Sequence, residues 1–298
     1  MRRLLTILGL LLILLLILLL GTAWWLAGRE ETLRWALDRA VSASNGQFTY
    51  RGVTGNLLAT IELEQARFAN PQAEVSAERL SLNFSLLALL QRRLELDHLR
   101  AGSLAITLEP NEEPPQLPES LLLPVALEVE QLQVGRVEIR RGDLALTLQQ
   151  FDARLVSSGR VHDVALHGAG TPWGQVKASL RLEGKHPFAL EGSASLAPAP
   201  DLRLLAPLEL KASGSLAELS AHIAAEADWL KGSAIAAIEP FAATPLRKLE
   251  VALERLDLRQ IDASWPEAVL AGQLAASQVG ETRLAGRLSL RNTTPGLP

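Results

Sequence analysis

The sequence has no cysteine, one tyrosine and one methionine, and only 4% aromatic residues in all. Without cysteine there can be no disulfide, thiol nucleophile or iron–sulfur ligand, and most structural zinc sites are excluded. The shortage of aromatics stands beside a hydrophobic fraction of 48%, although closed β-cores ordinarily use Tyr, Phe and Trp for bulk. Any interior must be aliphatic. Charge of one sign is also missing: 29 basic and 33 acidic residues leave a formal net charge of −4. Both signs are interleaved, so there is no basic field to attract nucleic acid.

Catalytic patterns are absent too. Of the five histidines, His98, His162, His167, His186 and His222, only His162 and His167 are near each other. Five positions apart on a strand, they face opposite ways and read as exposed polar residues rather than converging metal ligands. Asp97-His98 has no nucleophile motif beside it. No G-x-S-x-G elbow, phosphate-binding loop or dinucleotide fingerprint occurs. The carboxylate pairs Glu62/Glu64, Glu128/Glu130 and Glu250/Glu254 fall on the solvated side of predicted strands. The chain is expected to be no enzyme and to carry no cofactor or metal.

What is present begins with an apolar run. Arg2 and Arg3 precede "LLTILGLLLILLLILLLGTAWWLAG", and as a helix Leu4 to Trp25 rises roughly 33 Å at ~1.5 Å per residue. A cleaved signal peptide has an apolar region of only about 7–15 residues, whereas this length spans a bilayer core of about 30 Å. Residues 1–28 therefore read as a cytoplasmic N-terminus and signal anchor. Arg2 and Arg3 stay inside, Leu4, Leu12, Leu16 and Leu20 lie in the span, and Trp24 and Trp25 mark the far interface. The rest of the chain is then expected outside the cytoplasm. In 29–46, Leu33, Leu37, Ala40 and Val41 recur at helical spacing before an Asn45-Gly46 stop. That amphipathic helix suits either packing on the first strands or lying on the membrane surface.

From Phe48 the period becomes 2. Ile61/Leu63, Leu80/Leu82/Phe84, Leu94/Leu96 and Leu104/Ile106/Leu108 mark a first β segment over 47–110. "SLLALLQRR", from Ser85, breaks the alternation and predicts one helical turn. Five prolines then make 111–124 and its flanks a linker or long loop, since proline is excluded from central strands. Alternation resumes over 125–298, with Val176/Ala178/Leu180/Leu182, Phe188/Leu190, Leu208/Leu210, Leu219/Ala221/Ile223 and Leu249/Val251/Leu253. Short inter-strand spacings and the lack of βαβ units predict antiparallel strands.

The stretch "LEVEQLQVGRVEIRRGDLALTL" poses the central problem. It places Val129, Leu132, Val134, Val137, Ile139, Leu144, Leu146 and Leu148 on one apolar side, with turns expected at Gly135-Arg136 and Arg141-Gly142-Asp143. The parity change between Val129 and Leu132 requires a bulge, or the apolar set would switch faces. Helices are too few to cover such a face. Two solutions stay open: a closed β-sandwich, or a sheet curled into an elongated groove whose aliphatic floor takes acyl chains.

Three stretches resemble the N-terminal part of the TamB family: "FTYRGVTGNLLATIELEQARF" from Phe48, "AERLSLNFSLLALLQRRLELDHLRAGSLAITL" from Ala77, and "LDLRQIDASWPEAVLAGQLAAS" from Leu256. Their order carries the likeness, together with the anchor, the short helix and "LRNTTPG" near the end. TamB is the inner-membrane subunit of the bacterial translocation and assembly module and is related to AsmA-like proteins. The resemblance implies a mainly β fold bent into a long apolar groove, anchored in the inner membrane and standing in the periplasm. It implies assembly of outer-membrane proteins such as autotransporters, with a TamA-like outer-membrane barrel engaged through a C-terminal part, and transport of phospholipids. Because family members are much longer, it also implies that this chain is an N-terminal fragment or a truncated product.

Overall fold

Period-2 alternation produces fifteen strands, and each pairs with the next strand in the chain. The computed structural model describes Thr22 and residues 25–109, 116–202, 204–242, 244–279 and 283–294. The strands are β1 (Phe48–Gly55), β2 (Ile61–Ala69), β3 (Ala73–Phe84), β4 (Arg93–Leu108), β5 (Ala126–Arg141), β6 (Leu144–Ser157), β7 (Val161–Thr171) and β8 (Gly174–Glu183). They continue as β9 (Ala189–Pro198), β10 (Leu208–Ser215), β11 (Leu219–Glu226), β12 (Leu230–Ile238), β13 (Leu246–Asp257), β14 (Val269–Val279) and β15 (Arg283–Asn292). At ~4.8 Å per step the ladder is roughly 67 Å long. β1 and β15 are its two edges, so the sheet is open.

The helix α1 (Glu30–Ala43) starts with Glu30 and Glu31, whose charges favour the positive end of the helix dipole. It stops at Asn45 and Gly46, which take left-handed φ values of 53° and 78°. Leu33 is buried against Val53, Ile61 and Leu63, with Leu37, Tyr50, Leu80, Leu82 and Phe84 around them. Full burial of one such leucine is worth about 1.5–3 kcal/mol. Tyr50 Oη donates to Asp38 Oδ1 at 2.7 Å, and that bond raises the phenol above its ordinary pKa. The helix thus packs on the first three strands. A second helix, α2 (Leu86–Leu90), is the predicted single turn and is capped by Ser85 Oγ accepting from the Ala88 amide. A third, α3 (Leu258–Ile261), joins β13 to β14.

Among the anchor residues, Arg2, Arg3, Leu4, Leu12, Leu16, Leu20 and Trp24 lie outside the described residues. Trp25 is helical and exposed, with the Arg29 guanidinium 3.7 Å from its ring centroid. No helix among the described residues is long and apolar enough to cross a membrane.

Two sequence expectations are corrected. All neighbouring pairs are antiparallel except β4 and β5, which run parallel from Arg93↔Ala126 to Leu108↔Arg141 without a register shift. The intervening segment 109–125 must carry the chain back along a strand of 16 residues. Seventeen residues can reach about 60 Å when fully extended, enough for a strand length of about 50 Å. The second correction concerns Gly135-Arg136, which is no turn but the middle of β5.

That position belongs to a line of extra residues, a crease, crossing β1 to β6. Gly52 in β1, Arg79 in β3 and Gln150 in β6 have φ of 53°, 52° and 51°, and Glu64 in β2, Gly102 in β4 and Gly135 in β5 stand unpaired in the same row. Each strand inserts its extra residue in the same row, so pairing resumes on both sides. Apolar parity changes at the same row: Tyr50 and Val53, Ala77 and Leu80, Val134 and Val137, Leu148 and Phe151 stay on one face. Bulges of this kind bend and twist a sheet. β4 and β5 carry a second break, which in β5 is the shift predicted between Val129 and Leu132.

The returning segment is tied along one row of turns. The Leu121 amide donates to the Gly184 carbonyl and the Leu123 amide to that of Gly159, each at 3.0 Å. His162 Nε2 lies 2.9 Å from the Leu121 carbonyl and its Nδ1 lies 2.8 Å from Ser157 Oγ. Ser157 is buried and also accepts from the Gly159 amide. His162 is therefore a structural tie rather than an exposed polar residue, whereas His167 is exposed beside Asp152 at 3.4 Å.

A Cβ added at Gly135 would sit 2.7 Å from the Gly102 carbonyl oxygen, while one at Gly168 would meet nothing within 4 Å. Gly135→Ala should cost about 1–3 kcal/mol and Gly168→Ala within about 0.5 kcal/mol, read from urea midpoints of the full chain in detergent. His162→Ala should speed amide hydrogen exchange at Leu121 and Leu123 while leaving the β7–β8 ladder protected.

Candidate apolar binding surface

In a ladder, directly opposed residues point to the same side, so the register maps the faces. The residues named from "LEVEQLQVGRVEIRRGDLALTL" share one face and pair as Val129↔Leu155, Leu132↔Ala153, Val134↔Phe151, Val137↔Leu148 and Ile139↔Leu146. Val129, Val134 and Val137 are buried, and Leu132, Ile139, Leu146 and Leu148 are half-buried. Leu144 opposes Arg141 at the turn and is 76% exposed, so it stands at the margin of the floor. In the parallel partner, Leu96, Leu99, Ala101, Leu104 and Ile106 extend the same face.

The face continues without interruption toward the other edge. One row runs Leu180, Gly192, Ala212, Ala221, Ala236 and the next runs Ala178, Ala194, Leu210, Ile223, Ala234. Val251, Leu274 and Leu288 carry the second row to β15. Small residues alternate with leucines, leaving a smooth aliphatic surface with almost no aromatic ring. Phe188, read from sequence as a strand residue, instead precedes β9 at φ 60° and is fully buried.

Among the described residues nothing of comparable size covers this face beyond β3. Apart from α1 on β1 and α2 against β4, the substantial contacts between elements are those of ladder neighbours. Among the described residues no second sheet packs on the first, so the sandwich alternative is overturned. Leu180 and Ile223 remain 36% and 37% exposed, and Leu288 is 63% exposed. The whole chain shows 20334 Å² of accessible surface, whereas a compact monomer of its 32.2 kDa mass would show about 12,000 Å².

The opposite face is ionic. Arg154 reaches Glu128 at 3.1 Å and Glu130 at 2.7 Å, and Arg93 reaches Glu128 at 3.2 Å, linking β4, β5 and β6. The Arg154 guanidinium, hydrogen-bonded to Glu130, holds that carboxyl below the ordinary glutamate range, as Arg67 does for Glu74. These exposed pairs are screened by solvent and fix register more than they add stability. A dish of about 530 Å³ on this side is lined by Arg154, Asp163, Arg181, Glu191 and Lys211. Twisted sheets are saddle-shaped, and the dish carries three basic and two acidic side chains. Among the described residues no three His, Asp or Glu side chains form a metal-holding group.

Sequence reading missed the crease, the His162 tie and the placement of Trp173, Trp229 and Trp265 in turns. The tryptophans could have been found from their neighbours, since each follows or precedes proline, glycine or aspartate typical of turns.

No curated protein and no solved structure matches this chain. The family model described as "TamB, N-terminal domain" matches residues 13–168, just over half of the sequence, and takes in the helix α1, the crease and the parallel pair. A TamB-like role in the translocation and assembly module follows at that level of description. The chain belongs to the TamB family.

Proposed function

We propose that this protein is a non-enzymatic, inner-membrane-anchored component of the translocation and assembly module, and that its apolar sheet face holds phospholipid in transit between membranes. The observation that carries the reading is the aliphatic face from β4 to β15, over which no layer packs among the described residues. Removing each acyl CH₂ from water contributes about 0.8 kcal/mol, enough to favour occupancy by chains that match the face in length. Leu4 to Trp25 supply a single-pass anchor with Arg2 and Arg3 in the cytoplasm, placing the sheet in the periplasm. Outer-membrane proteins are the clients, and a TamA-like barrel is the partner at the far membrane.

A photo-crosslinking residue at Leu146 or Leu249, on β6 and β13, should capture phospholipid in cells. Glutamate at Leu210 or Ile223, both on partly exposed positions of the same face, should abolish capture at Leu249 while the far-UV circular dichroism stays unchanged. Capture that persists beside the introduced charge would remove the lipid reading.

A second reading is favoured by β15, all ten of whose residues are exposed. Its free edge can accept another strand by backbone pairing, so the sheet could hold unfolded barrel clients without carrying lipid. Crosslinkers along Leu284 to Leu290 should then recover outer-membrane proteins, and recovery of none would end this alternative.

A further inference from the structure

The turns of a sequential antiparallel ladder alternate between the two margins of the sheet. Trp173 lies in the β7–β8 turn, Trp229 in the β11–β12 turn and Trp265 in the β13–β14 connection, so all three stand on one margin. The intervening turn on that margin, β9–β10, carries Leu204, which is 59% exposed. Four consecutive turns, two strands or about 10 Å apart, thus present a large apolar side chain. Trp173 and Trp265 are 53% and 47% exposed. The opposite margin has no tryptophan among the described residues, and at Gly159 and Gly184 it is bound by the returning segment.

The width of the floor gives the margin a meaning. From Leu190 to Leu196, and equally from Leu208 to Gly214 or Leu219 to Ala225, six residue steps make the apolar strip about 20 Å wide. The acyl chains of one bilayer leaflet span about 15 Å, half of a ~30 Å core. A chain laid along a strand fills the strip and brings its polar end to one margin or the other. Indole has an apolar body and an N–H donor, and concentrates where hydrocarbon meets headgroup.

We infer that the margin bearing Trp173, Trp229 and Trp265 is the headgroup lip of the groove: the phospholipid lies with its acyl chains along β8 to β13 and its glycerol phosphate emerging at the tryptophans. This rests on the apolar face being the lipid site. The opposite margin, tied by the returning segment, receives the chain ends. Lipid is thereby oriented across the sheet, headgroups along one side of the ladder.

The test uses the full chain with Trp24, Trp25 and Trp35 replaced by phenylalanine, leaving only the three lip tryptophans. It is loaded from vesicles of phosphatidylethanolamine and phosphatidylglycerol brominated either near the glycerol end or near the methyl end of the acyl chains. Bound phospholipid is measured separately after gel filtration. Bromine near the glycerol should quench tryptophan fluorescence more strongly than bromine near the methyl end, and Trp173→Phe with Trp265→Phe should remove most of the difference without reducing bound lipid. Lipid retained with equal quenching, or with stronger quenching by the methyl-end label, would overturn the orientation while leaving the lipid site standing. No retained lipid would overturn both.

Discussion

A single-layer sheet with one apolar face can bend only if every strand keeps its side-chain parity in step with its neighbours. A bulge in one strand alone would turn half of that strand's leucines to water. The chain meets this constraint by inserting the extra residue in the same row of all six strands β1 to β6, so that Gly52, Glu64, Arg79, Gly102, Gly135 and Gln150 form a line rather than isolated defects. Left-handed φ at Arg79 and Gln150 is unfavourable for residues with a Cβ, by about 1–3 kcal/mol each. Burial of Val53, Leu63, Ala77, Val134 and Val137 beside the row offsets that cost. Without the alignment there would be no continuous face, and so nothing for a ligand to occupy.

The uneven legibility of the sequence has the same origin. Side-chain periodicity is local: period 2 exposes the strands and the Val129–Leu132 bulge, helical spacing exposes the helix α1, and a break in the alternation exposes the α2 turn. The break at Gly135-Arg136 was read as a turn because glycine beside a charged residue commonly is one. Only the matching break at Gly102-Ser103 in the parallel partner identifies it as mid-strand, and that requires knowing which strands are neighbours. Parallel pairing of β4 and β5 was hidden for a related reason: a proline-rich return leaves no helical crossover signal. His162 was misjudged since its partners, Ser157 and the Leu121 carbonyl, are brought together by a turn and by a distant segment.

The candidate surface was legible as composition before it was legible as geometry. An aliphatic chain poor in rings cannot plug a curved interior, and the structure shows the consequence in partly exposed leucine, isoleucine and alanine. Exposed apolar area of this extent marks an interaction surface. Membership of the TamB family gives that surface a cellular setting, and the ionic opposite face keeps the sheet soluble on the side that faces water.

The strictly sequential ladder also bears on how the molecule is made. Strands that contact only their predecessor and successor give a nearly one-dimensional object, whose stability is a sum of neighbour terms. Each newly made hairpin can add to the growing edge as the polypeptide lengthens, with little loop entropy to overcome. The exception is the step from β4 to β5, where the edge must wait until the whole proline-rich return and a further strand have been synthesised. At that stage β4 is a long unpaired edge strand, and biogenesis of the sheet passes through its most aggregation-prone moment there.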